Sequence, residues 1–203
     1  MRDLRKSHVF KQQNCNWRKN ALVGDYFSSD LELYIEGYYS AATLLLDKIE
    51  TGEPSNILVY PICFLYRHFI EIALKEIIAR CERLRQLRAM HKSFEIKKAK
   101  THKLSSLLNN ANKLVREAFD TPFSEEIKQT IQEINNADPT SEMFRYATSK
   151  KGDHFFPEHD VIGLGTLKEK MARVHDELKG ALIGLDEYLK TQAEINLEHI
   201  DVE

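Results

Sequence analysis

Apolar residues recur at helical spacing along most of this chain, and most densely between residues 57 and 88. Two registers of apolar side chains overlap there, so that a helix would be apolar around most of its circumference. A helix of this kind is buried among other helices. We therefore predict a central helix that begins near Ser55 and ends near Met90, with Pro61 either marking a later start near Tyr60 or bending the helix.

Four further segments have the one-sided apolar period of helices that pack on such a core. They cover residues 31–50, 101–119, 124–134 and 163–193, and residues that cap or break helices lie at their ends. Thr101 and Ser124 are the predicted caps of the third and fourth helices. The predicted fold is all-α, an antiparallel bundle of about five helices.

Between residues 135 and 161 the helical period is lost, and residues 144–156 are predicted to form a short extended or hairpin segment that turns at Gly152. No composition change divides the rest of the chain. The predicted organisation is an N-terminal arm (1–25), a single bundle (26–193) and a C-terminal tail (194–203).

The last predicted helix carries a heptad-like apolar seam for a neighbouring helix, which belongs either to the same bundle or to another subunit. Gly180 and Gly184 lie one turn apart on it, a spacing that permits two helices to approach closely. The alternative functional hypothesis, a non-enzymatic module that binds a partner protein, uses this helix and the 138–160 segment.

One polar stripe interrupts the central helix. Arg67, Glu71 and Lys75 follow each other at intervals of four, which places them on one face, with His68 beside them. One interpretation is a ligand pocket in which Arg67 and His68 hold a phosphate or nucleotide, Glu71 orients them, and His102 lies near. The other is a structural ion ladder, because buried charges persist only when they are paired.

The formal net charge is only −2, but basic residues crowd the end of the central helix and the connector after it. The candidate nucleic-acid contacts there are Arg80, Arg83, Arg88, Lys97, Lys98 and Lys100. A local basic face is compatible with nucleic acid, and the competing interpretation is a solvated helix end.

Three cysteines, an odd number, argue against a disulfide framework. With no secretory signal visible at the N-terminus and no apolar run of about 20 residues, we predict a cytoplasmic protein without membrane contact. The chain contains no cofactor-binding fingerprint. No helical or strand period holds His154 and His159 at a fixed distance in space, so we predict no metal site. We also predict no cofactor.

Three short stretches together resemble uncharacterised bacterial proteins of the HEPN type. They are the central-helix sequence from Phe64 to Lys75, the Thr101-His102-Lys103-Leu104 opening of the next helix, and Phe144-Arg145-Tyr146 before a Lys-Gly turn. The resemblance covers residues 34–188 in the order of its elements. It implies a bundle of four or five helices, a homodimer and an association with RNA in bacterial antiviral defence or toxin–antitoxin systems.

Catalytic members of that family are ribonucleases that carry an Arg and a His separated by four to six residues, early in a late helix. Here that spacing occurs from Arg2 to His8, in the N-terminal arm, and from Arg85 to His91, at the tip of the central helix. This departure argues against catalysis. The leading hypothesis is therefore an RNA-associated protein, and a metal-independent ribonuclease that uses Arg85 and His91 remains an alternative.

Overall fold

The computed structural model describes Val9, Ala21 and residues 30–89, 101–156, 158 and 160–200. Within these residues the fold is all-α, and five helices pack against each other as a bundle. The helices are α1 (Asp30–Glu50), α2 (Ser55–Arg88), α3 (Leu104–Phe119), α4 (Glu125–Ala137) and α5 (Leu164–Ile200). The predicted fold class is confirmed. The predicted N-terminal arm lies almost wholly outside the described residues.

The central position of α2 follows from its two apolar registers. α1 and α5 pack along one part of it and α3 along another, while α4 bridges α3 and α5. Phe69, Ile70, Leu74 and Ile77 are fully buried between these neighbours, and each such side chain stabilises the fold by about 1.5–3 kcal/mol. α2 begins at Ser55 and continues through the exposed Pro61, so of the two predicted alternatives the later start near Tyr60 is wrong.

The predicted helix starts are confirmed for α4 and corrected for α3. The Ser124 hydroxyl accepts the backbone N–H of Ile127 and so caps α4. α3 instead begins after Lys103, which makes no side-chain cap. The Thr101 hydroxyl accepts the backbone N–H of Lys103, so it stabilises the turn before the helix.

The segment predicted as a hairpin contains only an isolated antiparallel bridge, between Thr148 and His154. Ser149 donates its N–H to the carbonyl of Asp153, and Gly152 takes a positive φ of 90° at the turn. The position of the turn was therefore predicted correctly. Backbone hydrogen bonds from Phe155 to Ala147 and from Gly152 to Ser149 also hold the 144–156 loop.

α5 continues to Ile200, so most of the predicted C-terminal tail is helical. The side chain of Asn196 donates to the carbonyl of Leu87 near the end of α2, 2.9 Å away, and this bond holds the extension against the bundle. The apolar seam of α5 is buried within the same chain, through Met171, Val174, Leu178 and Leu185.

Among the described residues, α2 is also the one helix whose length and composition would suit a membrane span. An 18-residue window has a mean hydropathy of 1.6, and half of that window is buried inside the bundle. The sequence-based expectation that no segment is apolar enough for a span is therefore not met. The core helix of a soluble protein has the same properties, so the absence of membrane contact stays a prediction.

We expect Gly180→Ala and Gly184→Ala to have different effects on stability, although both replace a glycine inside α5. A methyl group at position 180 meets nothing within 4 Å, whereas one at 184 would lie 3.1 Å from two ring carbons of Phe119. Alanine is favoured over glycine in a helix by about 1 kcal/mol. Urea denaturation should show that gain for Gly180→Ala and little or none for Gly184→Ala. Equal gains would mean that the Phe119 ring moves aside freely.

Candidate functional site

Arg67 and Asp138 are the most deeply buried charged residues in the described part of the chain, each 1% exposed. The Nε of Arg67 donates to the carbonyl of Asp138 (3.0 Å), its Nη1 to Glu71 Oε2 (3.1 Å) and its Nη2 to the carbonyl of His102 (2.9 Å). The carboxylate of Asp138 lies 3.6 Å from Nε. Arg67 therefore joins α2 to the segments that precede α3 and follow α4.

Glu71 completes this cluster. Besides Arg67, its carboxylate accepts hydrogen bonds from Lys75 (2.9 Å) and from His102 Nδ1 (2.7 Å). Burial alone would raise the pKa of Glu71, but the hydrogen bonds from Lys75 and His102 outweigh it and hold the pKa below its ordinary value. The ion-ladder interpretation is thus extended by one member, His102, whose side chain is 71% exposed.

The burial of Arg67 does not favour the phosphate that the pocket interpretation places on it. The residue is 1% exposed, and each of its three guanidinium nitrogens already donates one hydrogen bond to a protein oxygen. His68 points elsewhere, since its ring lies edge-on to Tyr38 (4.5 Å between centroids) and stacks on Phe64 (5.7 Å). The prediction that Arg67 and His68 form one pocket is therefore corrected. Arg67 lies in the ion cluster, and His68 packs against aromatic rings.

His68 instead belongs to an aromatic stripe on the face of α2 beneath the 144–156 loop. Tyr60, Phe64 and His68 follow at intervals of four, and the guanidinium of Arg145 lies 5.6 Å from the Phe64 ring centroid and 5.3 Å from that of Tyr146. Desolvation lowers the pKa of His68 and outweighs the nearby Glu71, which acts in the opposite direction. The surroundings of His68 therefore favour its neutral form.

Arg145 is fixed through its Nε, and its side chain is exposed at the surface. Its Nε donates to the carbonyl of Ser141, a buried residue whose backbone is left-handed (φ 62°). Ser141 lies in a turn that the Asp138 carboxylate stabilises by accepting the N–H groups of Glu142 and Met143. Within the described residues Arg145 pairs with no carboxylate, so its charge is available to a ligand.

Two clefts share the rings of Tyr60, Phe144 and Phe156 as lining. One, of about 460 Å³, lies between the start of α2 and the chain that enters α5. The other, of about 370 Å³, is lined also by Arg145, Tyr146 and His154. We call the stripe, the loop and these two clefts together the aromatic face. Flat rings beside an unpaired cation are suited to nucleobases and their phosphates.

The predicted nucleic-acid contacts at the other end of α2 divide into two groups. Arg80 is buried: its guanidinium lies 2.7 Å from Glu32, 2.9 Å from Glu76 and 2.7 Å from Asp186. The guanidinium of Arg80 is therefore paired with carboxylates. The prediction that Arg80 contacts nucleic acid is corrected, because its role is structural. Arg83 and Arg88 are exposed, as predicted. Lys97, Lys98 and Lys100 lie outside the described residues.

Of the candidate catalytic pair, Arg85 and His91, only Arg85 lies within the described residues. Arg85 is exposed and lies 3.3 Å from Glu82 and 3.9 Å from Glu117, whereas His91 lies outside the described residues. The distance between the two is therefore not defined.

The buried thiols are also unsuited to nucleophilic chemistry, because burial raises the pKa of both Cys63 and Cys81 to about 12.

A second polar cluster, built around the buried His175, joins α1 to α5 and was not predicted from the sequence. His175 Nε2 lies 3.1 Å from Glu36, and its ring stacks on Tyr39 at 3.8 Å. Lys179 also pairs with Glu36, at 2.9 Å. Burial alone would raise the pKa of Glu36, but its bonds to Lys179 and His175 outweigh this and lower it. The cluster borders a cavity of only about 160 Å³, which indicates a structural role.

The sequence marks Arg145 only as part of the family-like stretch from Phe144 to Tyr146. It marks neither Tyr60 nor Asp138 as a site residue. The interval of four from Tyr60 to His68 is visible in the sequence, but it is hidden within a helix that is apolar on nearly every side. Which residues of the loop face that stripe depends on tertiary packing, which a segment without a period does not reveal.

These observations define an all-α bundle with an ion cluster around the buried Arg67 and an aromatic face beside it. Comparison of the chain with protein-family models, with curated proteins and with solved structures finds no match.

Replacing Arg67 with methionine is expected to destabilise the fold by about 3–5 kcal/mol, because Asp138 would stay buried without its cation and Glu71 would lose one of its three donors. Urea denaturation followed by circular dichroism measures the change. Arg116→Met is the matched control, since Arg116 is exposed on α3, and it should alter stability by less than about 0.5 kcal/mol. A loss for Arg67→Met as small as that of the control would contradict the central role given to Arg67.

The contribution of Glu71 to stability should depend on pH. Its pKa is lower in the folded than in the unfolded protein, so the stabilisation is fully present above the unfolded value, about 4.3, and is lost as the pH falls through the folded value. The difference in unfolding free energy between wild type and Glu71→Gln should therefore shrink as the pH is lowered from neutral into this range. Glu169→Gln, at an exposed position on α5, should show no such trend. A difference that stays constant with pH would argue against the lowered pKa.

Proposed function

We propose that this protein is a HEPN-like, RNA-associated protein that binds single-stranded RNA on its aromatic face without cleaving it. The observation that carries the proposal is the setting of Arg145, a cation without a carboxylate partner in the described structure that lies against two aromatic rings. Cations interleaved with aromatic rings are the common means of binding single strands, because they combine stacking with phosphate contact.

The exposure of the rings supports this proposal. Tyr60 is 45% exposed and Tyr146 57% exposed, more than the packing of a core requires. A base that stacks on such a ring contributes about 1–3 kcal/mol. Lys151 is exposed next to the turn of the 144–156 loop and His154 lines the adjoining cleft, so both lie where the phosphates of a bound strand would pass.

The absence of cleavage is part of the proposal. Arg85 is paired with glutamates and lies near the C-terminal end of α2, whereas the aromatic face lies at the other end of that helix. Tyr60 and Arg85 are 25 residues apart on α2, or about 38 Å at 1.5 Å per residue. If the protein is a ribonuclease after all, cleavage that His91→Ala abolishes would show it.

A partner protein or a second copy of this chain is the second candidate ligand, and a specific surface of α5 favours it. Ile183, Ile195 and Leu197 are 52%, 41% and 63% exposed on the second half of this helix, although its predicted seam is buried. A homodimer of the kind that the family resemblance implies would cover such side chains. The resemblance also motivates the wider proposal of a role in bacterial antiviral defence or toxin–antitoxin systems.

Arg145→Ala should weaken the binding of a fluorescently labelled single-stranded RNA and make it less dependent on salt, because one phosphate contact is lost. Tyr146→Ala should weaken it by about tenfold through the loss of a stacking partner. Fluorescence anisotropy over a range of salt concentrations measures both effects. Arg116→Ala, which removes the same charge from α3, should leave the affinity nearly unchanged.

Two outcomes of this measurement would overturn the proposal. Absence of RNA binding at low salt would favour the protein-interaction module. Binding that resists Arg145→Ala and Tyr146→Ala but is lost in Arg83→Ala/Arg85→Ala/Arg88→Ala would move the RNA site to the tip of α2.

A further inference from the structure

The two clefts of the aromatic face differ in charge. Their shared walls are the rings of Tyr60, Phe144 and Phe156, with the Phe156 centroid 6.0 Å from Tyr60 and 5.9 Å from Phe144. Arg145 lines the smaller cleft, and two carboxylates, Glu158 and Asp160, line the larger. A ligand that spans both would be flat in the middle, anionic at one end and rich in hydrogen-bond donors at the other.

Both carboxylates of the larger cleft are free to accept hydrogen bonds from a ligand. Among the described residues neither has an ion-pair or hydrogen-bond partner, and no Lys or Arg lines this cleft. A carboxylate only accepts hydrogen bonds at neutral pH, so it selects a ligand that donates them.

The same cleft also contains donors. Ser55 and Asn56 line it from the first turn of α2, where helical N–H groups have no partner within the helix. α2 has neither a side-chain cap nor an acidic residue in this turn. The cleft thus offers acceptors on one segment, donors on another, and aromatic rings between them.

Building on the proposed RNA binding, we propose that the larger cleft selects a guanine base. Guanine presents two adjacent donors, its N1–H and its 2-amino group, which a single carboxylate of Glu158 or Asp160 accepts together, and its O6 accepts from an N–H group of the α2 first turn. Adenine and cytosine place an acceptor beside their amino group, where it faces the carboxylate unfavourably. Uracil offers one donor between two acceptors. The rings of the cleft hold any base by stacking, and the carboxylates distinguish guanine from the others.

The test compares short oligouridylates that carry one central guanosine, inosine, adenosine or uridine, by fluorescence anisotropy. Guanosine should bind about tenfold more tightly than adenosine. Inosine, which lacks the 2-amino group, should fall between the two. Glu158→Gln/Asp160→Asn should abolish the preference for guanosine while the oligomer that contains only uridine still binds. The control Glu187→Gln/Glu194→Gln removes the same charge from exposed positions of α5 and should retain the preference.

The outcomes separate this inference from the proposed function. RNA binding that is sensitive to Arg145→Ala but equal for all four bases would overturn the guanine site alone. A carboxylate double variant that strengthens every oligomer by the same factor would overturn it too, since the two acids would then act only through their charge near the start of α2. If no oligomer binds, the proposed function and the guanine site both fall. Thermal unfolding of each variant, followed by circular dichroism, verifies that it is folded.

Discussion

The buried ion cluster around Arg67 is the interaction on which the rest of this structure depends. A guanidinium removed from water is tolerated only where protein acceptors replace the lost solvent, and here Glu71, Asp138 and the carbonyl of His102 do so. The acceptors come from three segments that are distant in sequence. The cluster therefore stabilises one arrangement of the chain rather than a helix alone, and it does so only while all its members are present.

The position of the aromatic face follows from this cluster. Asp138 binds Arg67 and at the same time holds the turn at Ser141 through the N–H groups of Glu142 and Met143. That turn supplies the carbonyl that fixes the stem of Arg145. A chain of direct contacts thus leads from the centre of the bundle to an exposed cation. It explains how a loop with a single backbone bridge presents its side chains at a defined place over α2.

The helices and the fold class could be predicted from the sequence because apolar period and capping residues are local signals, as the confirmed starts of α2 and α4 show. The corrected assignments concern side chains whose surroundings are set by tertiary packing. Arg80 belongs to a run of basic residues, and its burial depends on Glu32 and Asp186, which come from other helices. Arg67 and His68 are adjacent in sequence, but consecutive residues of a helix point about 100° apart, so that one faces the ion cluster and the other the aromatic stripe.

The charge balance of the molecule bears on how the aromatic face would bind RNA under the proposed function. With a formal net charge of −2 and two free carboxylates in its larger cleft, this face attracts a polyanion weakly over long distances. Binding must then come mainly from stacking and from few phosphate contacts, which predicts a shallow dependence of affinity on salt compared with proteins that neutralise many phosphates. Short-range contacts of this kind distinguish bases better than they distinguish one phosphate backbone from another. The same acids that weaken attraction to the backbone are therefore the groups that can make the site selective.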